Sequence, residues 1–386
     1  MTQIAIRRLF FAACALLVLM DAPDLVAKQN DPFISGYYKN LFSATQSSGS
    51  KEGISSDLQR LRLEFKKQID PWQFYLTLDN EALLNNFSHT PDFAVIRSKS
   101  HDRLASWDLD KVSVDDDHVY LRHSIYRAYI KYYTPHFQAV AGKQTVDWGR
   151  MRFYSPFDVF NPVGPVDLEP EERVGVDAVN LNFSPEDFAG INAVVAPGRD
   201  AGETSVGLKV YKTITPYDYA LIAASVKKTT IMGVSFDGAV KDAGFRGEVT
   251  QNRQDNKKSY VRISVGVDYN LTEKLYVLWE QFFNGGHDDN DIGAFTSSYR
   301  YAREALSIKR NLSSAHLRYS LTPLVDLSTT LIYDWEGESI MVNPQMKYNV
   351  SSNTDFSVGS QFFWGKDDSE FSSYEHLGYL ELKCFF

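Results

Sequence analysis

Apolar and polar residues take turns along most of this chain. Leu61, Leu63 and Phe65 interleave with Arg60, Arg62, Glu64 and Lys66, and Trp72, Phe74, Leu76 and Leu78 with Gln73, Tyr75, Thr77 and Asp79. Val206, Leu208 and Val210 alternate with Gly207, Lys209 and Tyr211. The cleanest run sets Val261, Ile263, Val265, Val267 and Tyr269 against Arg262, Ser264, Gly266 and Asp268. A period of two marks strands with one dry and one wet face. The pattern predicts about eighteen strands (16–18), at 33–44, 57–68, 72–81, 118–133, 137–147, 174–183, 188–197, 204–215, 217–228, 230–240, 244–252, 259–270, 274–284, 308–320, 325–335, 339–350, 355–364 and 374–386. No stretch of comparable length carries a helical stripe.

The gaps between these strands sort by parity. Every second one is tight: Asp70-Pro71, Thr134 to His136, Ser184 to Asp187, Thr215-Pro216, Lys241 to Ala243, Thr272-Glu273, Thr322 to Leu324 and Ser351 to Thr354. Five of these eight contain proline, which presets a turn dihedral. The gaps at 45–56, 82–117, 148–173, 197–203, 253–258, 285–307 and 365–373 are longer, whereas 228–230 and 336–338 are short. Short turns on one rim and long loops on the other are the asymmetry of a transmembrane antiparallel up-and-down β-barrel. Aromatics recur beside the short turns: Trp72 and Phe74, Tyr132 and Phe137, Phe183 and Phe188, Tyr217 and Tyr219, Tyr269 and Tyr276, Tyr348 and Phe356, and Phe386. Amphipathic rings favour the headgroup level, so these positions are expected to form a girdle.

Composition fits an all-β wall. Mean hydropathy is slightly negative, −0.30, which excludes membrane helices but not strands whose two faces average out as polar. Aromatic residues make up 14% of the chain. Arg7 and Arg8 precede a short apolar run, Leu9 to Met20, and Leu25-Val26-Ala27 resembles a cleavage site. Residues 1–27 therefore read as a secretory signal peptide, a lipid-modified Cys14 being the weaker option, and 28–386 as a single barrel domain. With Cys14 removed, Cys384 stands alone, so neither a disulfide nor a metal site nor a haem-attachment motif is expected, and no cofactor is implied. Net charge is −9 without a basic block, which argues against nucleic acid. The run Gly378 to Phe386 alternates to the last residue. In hydrocarbon no strand edge can stay unpaired, so this final strand is expected to close the ring against the first.

A signal peptide, about eighteen alternating strands and a terminal Phe386 resemble a Gram-negative outer-membrane porin. In such porins the last strand with its aromatic end is the signal read by the barrel-assembly machinery, which implies that role for Phe386. A local stretch, AGKQTVDWGRMRFYSPFDVFNPVGP at 141–165, is similar to a motif of largely uncharacterised proteobacterial porin-like proteins. Gln144, Trp148, Gly149, Arg150, Pro156, Asp158, Phe160, Asn161 and Pro162 match it. The resemblance implies a transport barrel in the outer membrane without naming a solute.

Catalysis finds little support. The eight histidines are scattered, and neither a Gly-x-Ser-x-Gly elbow nor a metal-type His pair occurs. A pore has better material. Arg60, Arg62, Lys66, Arg127 and Lys131 fall on inward positions and would form a basic wall, or simply be what a wet interior tolerates. The loop 148–173 opens with Arg150 and Arg152, continues through Phe153, Tyr154, Phe157, Val159 and Phe160, and ends with Asp167, Glu169, Glu171, Glu172 and Arg173. So apolar a loop is expected to fold inward. It would either brace the barrel or constrict it, with Arg150 and Arg152 facing Asp158, Asp167 and Glu169 across the lumen. Two further loops hold isolated charges, Arg97, Lys99, His101, Arg103 and Asp115 to Asp117 in one, His287, Asp288 and Asp289 in the other, and read as solvated.

The sequence therefore points to a channel for passive or facilitated diffusion of small hydrophilic solutes. Its partners would be outer-membrane lipids, the assembly machinery and the solutes, with a homotrimer left open. The competing reading is a porin-like sheath around a multihaem cytochrome in an electron conduit.

Overall fold

Extended backbone sends successive side chains to opposite faces, so the period-two segments each present one apolar face that must meet something other than water. In the computed structural model they do this by closing a ring. The structure describes residues 33–46, 52–90, 93–94, 97, 106–162, 164, 166–169, 172–173, 175–198, 203–254, 258–287 and 307–386. The expected signal segment 1–27, and Lys99, His101, Arg103, Glu171, Asp288 and Asp289, lie outside these residues. Ser35–Phe386 form one compact unit.

In chain order the strands are β1 (Ile34–Gln46), β2 (Gly53–Ile69), β3 (Trp72–Asn85), β4 (Asp110–Asp115), β5 (Val119–Tyr133), β6 (Phe137–Gln144), β7 (Val176–Glu186), β8 (Ala189–Ala196), β9 (Ser205–Ile214) and β10 (Tyr217–Val226). They continue with β11 (Thr229–Val240), β12 (Ala243–Gln254), β13 (Tyr260–Asn270), β14 (Leu275–Asn284), β15 (Asn311–Thr322), β16 (Val325–Asp334), β17 (Ser339–Ser351), β18 (Thr354–Trp364) and β19 (Leu377–Phe385). All but β4 form a closed, antiparallel wall of 18 strands among the described residues, each bonded to its neighbours in sequence. The seam is β1 against β19, in register from Tyr37 opposite Phe385 to Ala44 opposite Gly378. Gly36 and Phe386 finish it with reciprocal backbone hydrogen bonds of 3.0 and 3.1 Å. A side chain at Gly36 would meet the Arg62 carbonyl oxygen at 2.1 Å, so only glycine lets the strands approach here.

The two faces of the wall differ as the alternation requires. Outward positions such as Leu61, Val179, Leu208, Leu221, Met232, Ile263, Trp279 and Leu380 are exposed. Around the short-turn rim Trp72, Phe74, Phe183, Phe188, Tyr219, Tyr269, Tyr348 and Phe386 also point out, and Trp72 packs against Tyr132 at 4.9 Å. Tyr276 departs from the expected girdle. It lies opposite Arg318, on the lumen side, and packs against the inner cluster around Leu278 and Phe282.

The eight tight gaps are turns, and two of them, Asp70-Pro71 and Thr215-Pro216, contain cis peptides. The long gap at 82–117 differs from expectation because it contains β4. This strand pairs with the upper half of β5, from Asp110 opposite Ser124 to Asp115 opposite Tyr120. β6 takes the lower half of the same edge, from Ala128 opposite Lys143 to Tyr133 opposite Gln138. β6 stops at Gln144, not 147, because the chain turns inward there. A bond of 3.2 Å from Ile125 N–H to the Leu109 carbonyl spans the junction. β4 thus continues the wall above a strand too short to reach the long-loop rim.

A cation on the outer face must enter hydrocarbon, whereas one on the inner face meets water. Leu221→Arg should cost about 2–4 kcal/mol in urea unfolding of the lipid-embedded barrel. Gln345→Arg, at a half-buried inner position, should change stability by less than about 1 kcal/mol; equal costs would contradict the assignment of faces.

Candidate constriction and lumen site

The described residues between 145 and 175 leave β6 and follow the inner wall before the chain rejoins the barrel at β7. Their first rings pack on small inward residues of β8, β10 and β11. Trp148 and Phe160 meet edge-on at 5.1 Å and, with Phe157, share a buried cluster with Val194, Ala196, Ala220, Ile222, Ala224 and Ile231. Gly207 on β9 keeps a place for them, since a Cβ there would sit 2.6 Å from the Trp148 ring. Burying several aromatic side chains this way contributes about 1.5–3 kcal/mol each before conformational entropy is subtracted.

Two wall carboxylates then take up the loop backbone. Glu248 on β12, fully buried, accepts from Arg150 N–H, from Ser155 Oγ at 2.7 Å and from Phe157 N–H at 3.1 Å. Glu280 on β14 accepts from Arg152 N–H at 2.8 Å and Phe153 N–H at 3.0 Å. Between them Ser264 Oγ donates to the Tyr154 carbonyl, and Tyr154 stacks on Phe282 at 5.0 Å. A loop carries backbone donors that no ladder satisfies. Here acids on the wall satisfy them.

Further on, Gln361 of β18 donates to the Val166 carbonyl at 3.0 Å, and the loop reaches β1 and β2. Glu169 pairs with Lys39 and, at 2.7 Å, with Arg60. Glu172 pairs with Arg62 at 2.7 Å and accepts from Tyr37 Oη at 2.7 Å. Arg60 also pairs with Glu81 at 2.7 Å, and Arg62 with Asp79 through two bonds of 2.6 Å. Arg127 of β5 donates to the Tyr126 and Arg173 carbonyls, and the Tyr126 ring lies between the guanidinium groups of Arg62 and Arg127, at 3.7 and 4.0 Å. The loop therefore touches wall strands from β8 to β14, then β18, β1, β2 and β5, nearly the whole inner circumference.

The candidate residues accordingly fall into distinct settings. Arg60, Arg62 and Arg127 face inward but are buried, the first two neutralised by carboxylates. Lys131 and Arg127 line a basin of about 460 Å³ with Glu64, Asn180 and the stacked rings of Tyr75 and Tyr129. Lys66 is exposed near the short-turn rim. Arg150 and Arg152 have exposed side chains, and Asp167 is half-buried within the loop. The expected opposition of Arg150 and Arg152 to Asp158 and Glu169 does not occur. Asp158 instead accepts from Gly149 N–H at 2.9 Å and pairs with Arg173 at 3.1 Å, and Glu169 is held by the β1 and β2 cations. Glu169 is thus turned to the wall, Asp158 is held within the loop, and the two arginine side chains stay exposed.

Burial pushes the Asp158 carboxyl up to about 6, against the pull of Arg173. Burial acts the same way on Glu172, but Arg62 and then Arg60 outweigh it and hold that carboxyl down at about 2. The anchors Lys39, Glu248 and Glu280 escape the sequence reading, as do Tyr37, Glu81, Tyr126 and Gln361. Glu280 had a signal, being the one ionisable carboxylate in the apolar strand LYVLWEQFFN, where an uncompensated charge is costly.

No family model matches the chain, and no curated protein matches it. Solved structures do. OccAB3 of Acinetobacter baumannii superposes with a TM-score of 0.59 at 10% identity, covering 92% of this chain and 98% of that one. OccK5 (OpdH) of Pseudomonas aeruginosa gives 0.58 at 9%, covering 92% and 96%. A double variant of OccD1 (OprD) gives 0.56 at 11%, covering 93% and 97%. The chain has the fold of an outer-membrane porin. In this porin fold the inward segment lies against the inner wall, held there by wall acids and guanidinium groups.

Two outcomes follow from the anchors. Glu248→Leu strands two backbone donors and one hydroxyl in a buried place, and should cost about 1–3 kcal/mol while making Arg150 and Arg152 rapid trypsin sites; unchanged proteolysis would refute the anchoring role. The Glu172 ion pair stabilises the loop fully above the ordinary glutamate range and loses that contribution only as pH falls through the depressed value of about 2. Pepsin should therefore spare the loop at about pH 4 and cut beside Phe153 and Phe157 as pH approaches 2.

Proposed function

We propose that this porin-fold chain is an outer-membrane channel for passive or facilitated diffusion of small hydrophilic solutes. The observation that carries the reading is the inward segment 145–175, fastened to the wall by Glu248, Glu280, Lys39, Arg60 and Arg62 while polar and charged groups line the lumen beside it. A loop so fixed narrows the passage without depending on mobile surface contacts, and charges in a narrow throat act through a lower effective dielectric than in bulk water. Selectivity would then come from the width left by the loop and from the lumen charges. The constriction candidates are Arg150 and Arg152 in the throat, Arg127 and Lys131 in the basin beside it, Lys66 nearer the short-turn rim, and Arg60, Arg62, Asp158, Asp167 and Glu169 as the charges that hold the loop in place. Phe386, at the closed seam, is the proposed recognition end for barrel assembly.

The alternative, a sheath around a multihaem cytochrome, needs an unobstructed cross-section. The loop takes up part of that cross-section, and the channel reading is preferred on this ground. Planar-bilayer recording tests it. The purified protein should give stable open channels, and deletion of residues 152–170 should raise the single-channel conductance. A silent wild-type protein, or a deletion variant conducting like the wild type, would count against the constriction.

A further inference from the structure

The outward rows of β9, β11 and β13 are apolar between the rims, with Val206, Leu208 and Val210, then Met232 and Val234, then Ile263 and Val267 exposed. The sector from β1 to β5 departs from this rule. On β2 Asp57 and Gln59 share the outward face with Leu61, because Arg60 and Arg62 turn inward to the loop acids. Asn40 of β1 lies opposite the outward Leu382, and Asn80 of β3 opposite Leu61. His123 of β5 lies opposite Asn80 on one side and Lys111 of β4 on the other.

These groups stand within the apolar belt. Tyr38 and Phe42 flank Asn40 on its face, Leu78 and Ala82 flank Asn80, and Leu121 and Ile125 flank His123. They form two clusters, one at each border of the sector. Asp57 Oδ1 accepts from the Asn40 amide and, at 2.6 Å, from Gln59 Nε2, and no cation pairs with Asp57 among the described residues. At the other border the His123 ring shares hydrogen bonds of 2.8 Å with Asn80 Oδ1 and 3.1 Å with Ser113 Oγ. Lys111 beside it is exposed and forms no ion pair among the described residues. The row from Lys111 through His123 and Asn80 reaches β2 at Leu61, two same-face steps short of Asp57. A strand tilt of about 40° over three strand spacings offsets such a distance. The stagger has the required direction, since β9 runs on to Ile214 beyond Lys212, the partner of Ala189. The acid and the lysine therefore lie at about the same depth.

We infer that this outward sector is a contact surface for a second copy of the same chain, in which Asp57 of one copy meets Lys111 and His123 of the next. Both copies enter the membrane with their short turns on the same side, so the axis relating them stands along the membrane normal. Any such axis sets the β1–β2 border of one copy against the β4–β5 border of its neighbour. The two borders carry opposite charge at one depth, which makes the surface complementary to itself. Lipid would leave the carboxylate and the ammonium unpaired against hydrocarbon, a cost that the second copy removes. The inference concerns the outer face and stands whether or not the lumen conducts.

Association of the folded barrel tests it. Light scattering in mild detergent should give a protein mass that is a multiple of the chain mass. Asp57→Lys and Lys111→Asp should each weaken association about tenfold or more, and the two together should restore it. Within one chain these positions are three strands apart, so rescue reports contact between copies. Altered mobility on unheated gels verifies that each variant barrel is folded. In membranes, and in a Cys384→Ser background, Asp57→Cys combined with Lys111→Cys should cross-link on oxidation into multiples of the chain. Leu221→Cys combined with Ile263→Cys, on an apolar stretch of wall, should not. A monomer in detergent with no cross-link in the membrane would leave the sector to lipid and overturn the inference. Multiples that ignore both charge reversals, a double reversal that fails to rescue, or adducts with a foreign protein would overturn it equally.

Discussion

Hydrocarbon offers a backbone N–H or C=O nothing to bond, and this constraint governs the whole wall. A sheet can meet it only by having no edges. The seam between β1 and β19, finished by the reciprocal bonds of Gly36 and Phe386, is thus the contact on which every other strand depends. Once the ring is closed, the outward face needs only apolar side chains, and the inward face is free to carry charge. The period-two pattern from end to end is the record of that division.

The same rule applies inside at smaller scale. A polypeptide segment drawn into the lumen carries backbone donors away from bulk water and must find acceptors. Glu248 and Glu280 supply them from the wall, and the arginines of β2 take the acids at the far end of the segment. Aromatic rings fill the intervals against alanine, valine and glycine on β8 to β11. Using acids as acceptors for peptide N–H has an electrostatic consequence. The carboxylates are consumed by the loop backbone, while the side chains of Arg150 and Arg152 stay exposed.

Much of the fold was legible because alternation is local. Face and turn follow from neighbours in sequence, so the wall strands and the parity of their connections could be read directly. The inward fold of the segment holding Phe153, Tyr154, Phe157 and Phe160 was legible for a similar reason, since those rings would not stay in water. Partner choice was not legible. Arg60 meets Glu81 across one hairpin but Glu169 from a loop far along the chain, and only the closed ring brings them together. Tyr276 shows the limit of arguing from proximity to a turn: its parity, set by pairing with Arg318, sends it inward. β4 escaped because its six residues run straight into the acidic stretch Asp115 to Asp117, and its place was set by the early end of β6.

That substitution of β4 for the missing upper half of β6 changes what residues 106–118 are. They lie in an exposed excursion between two strands, the kind of place usually chosen for inserting an epitope or a fluorescent tag. Here the excursion doubles back to become masonry. A graft within it would breach the barrel beside β5 and let lipid or water reach unpaired peptide groups, so a surface label belongs in another loop.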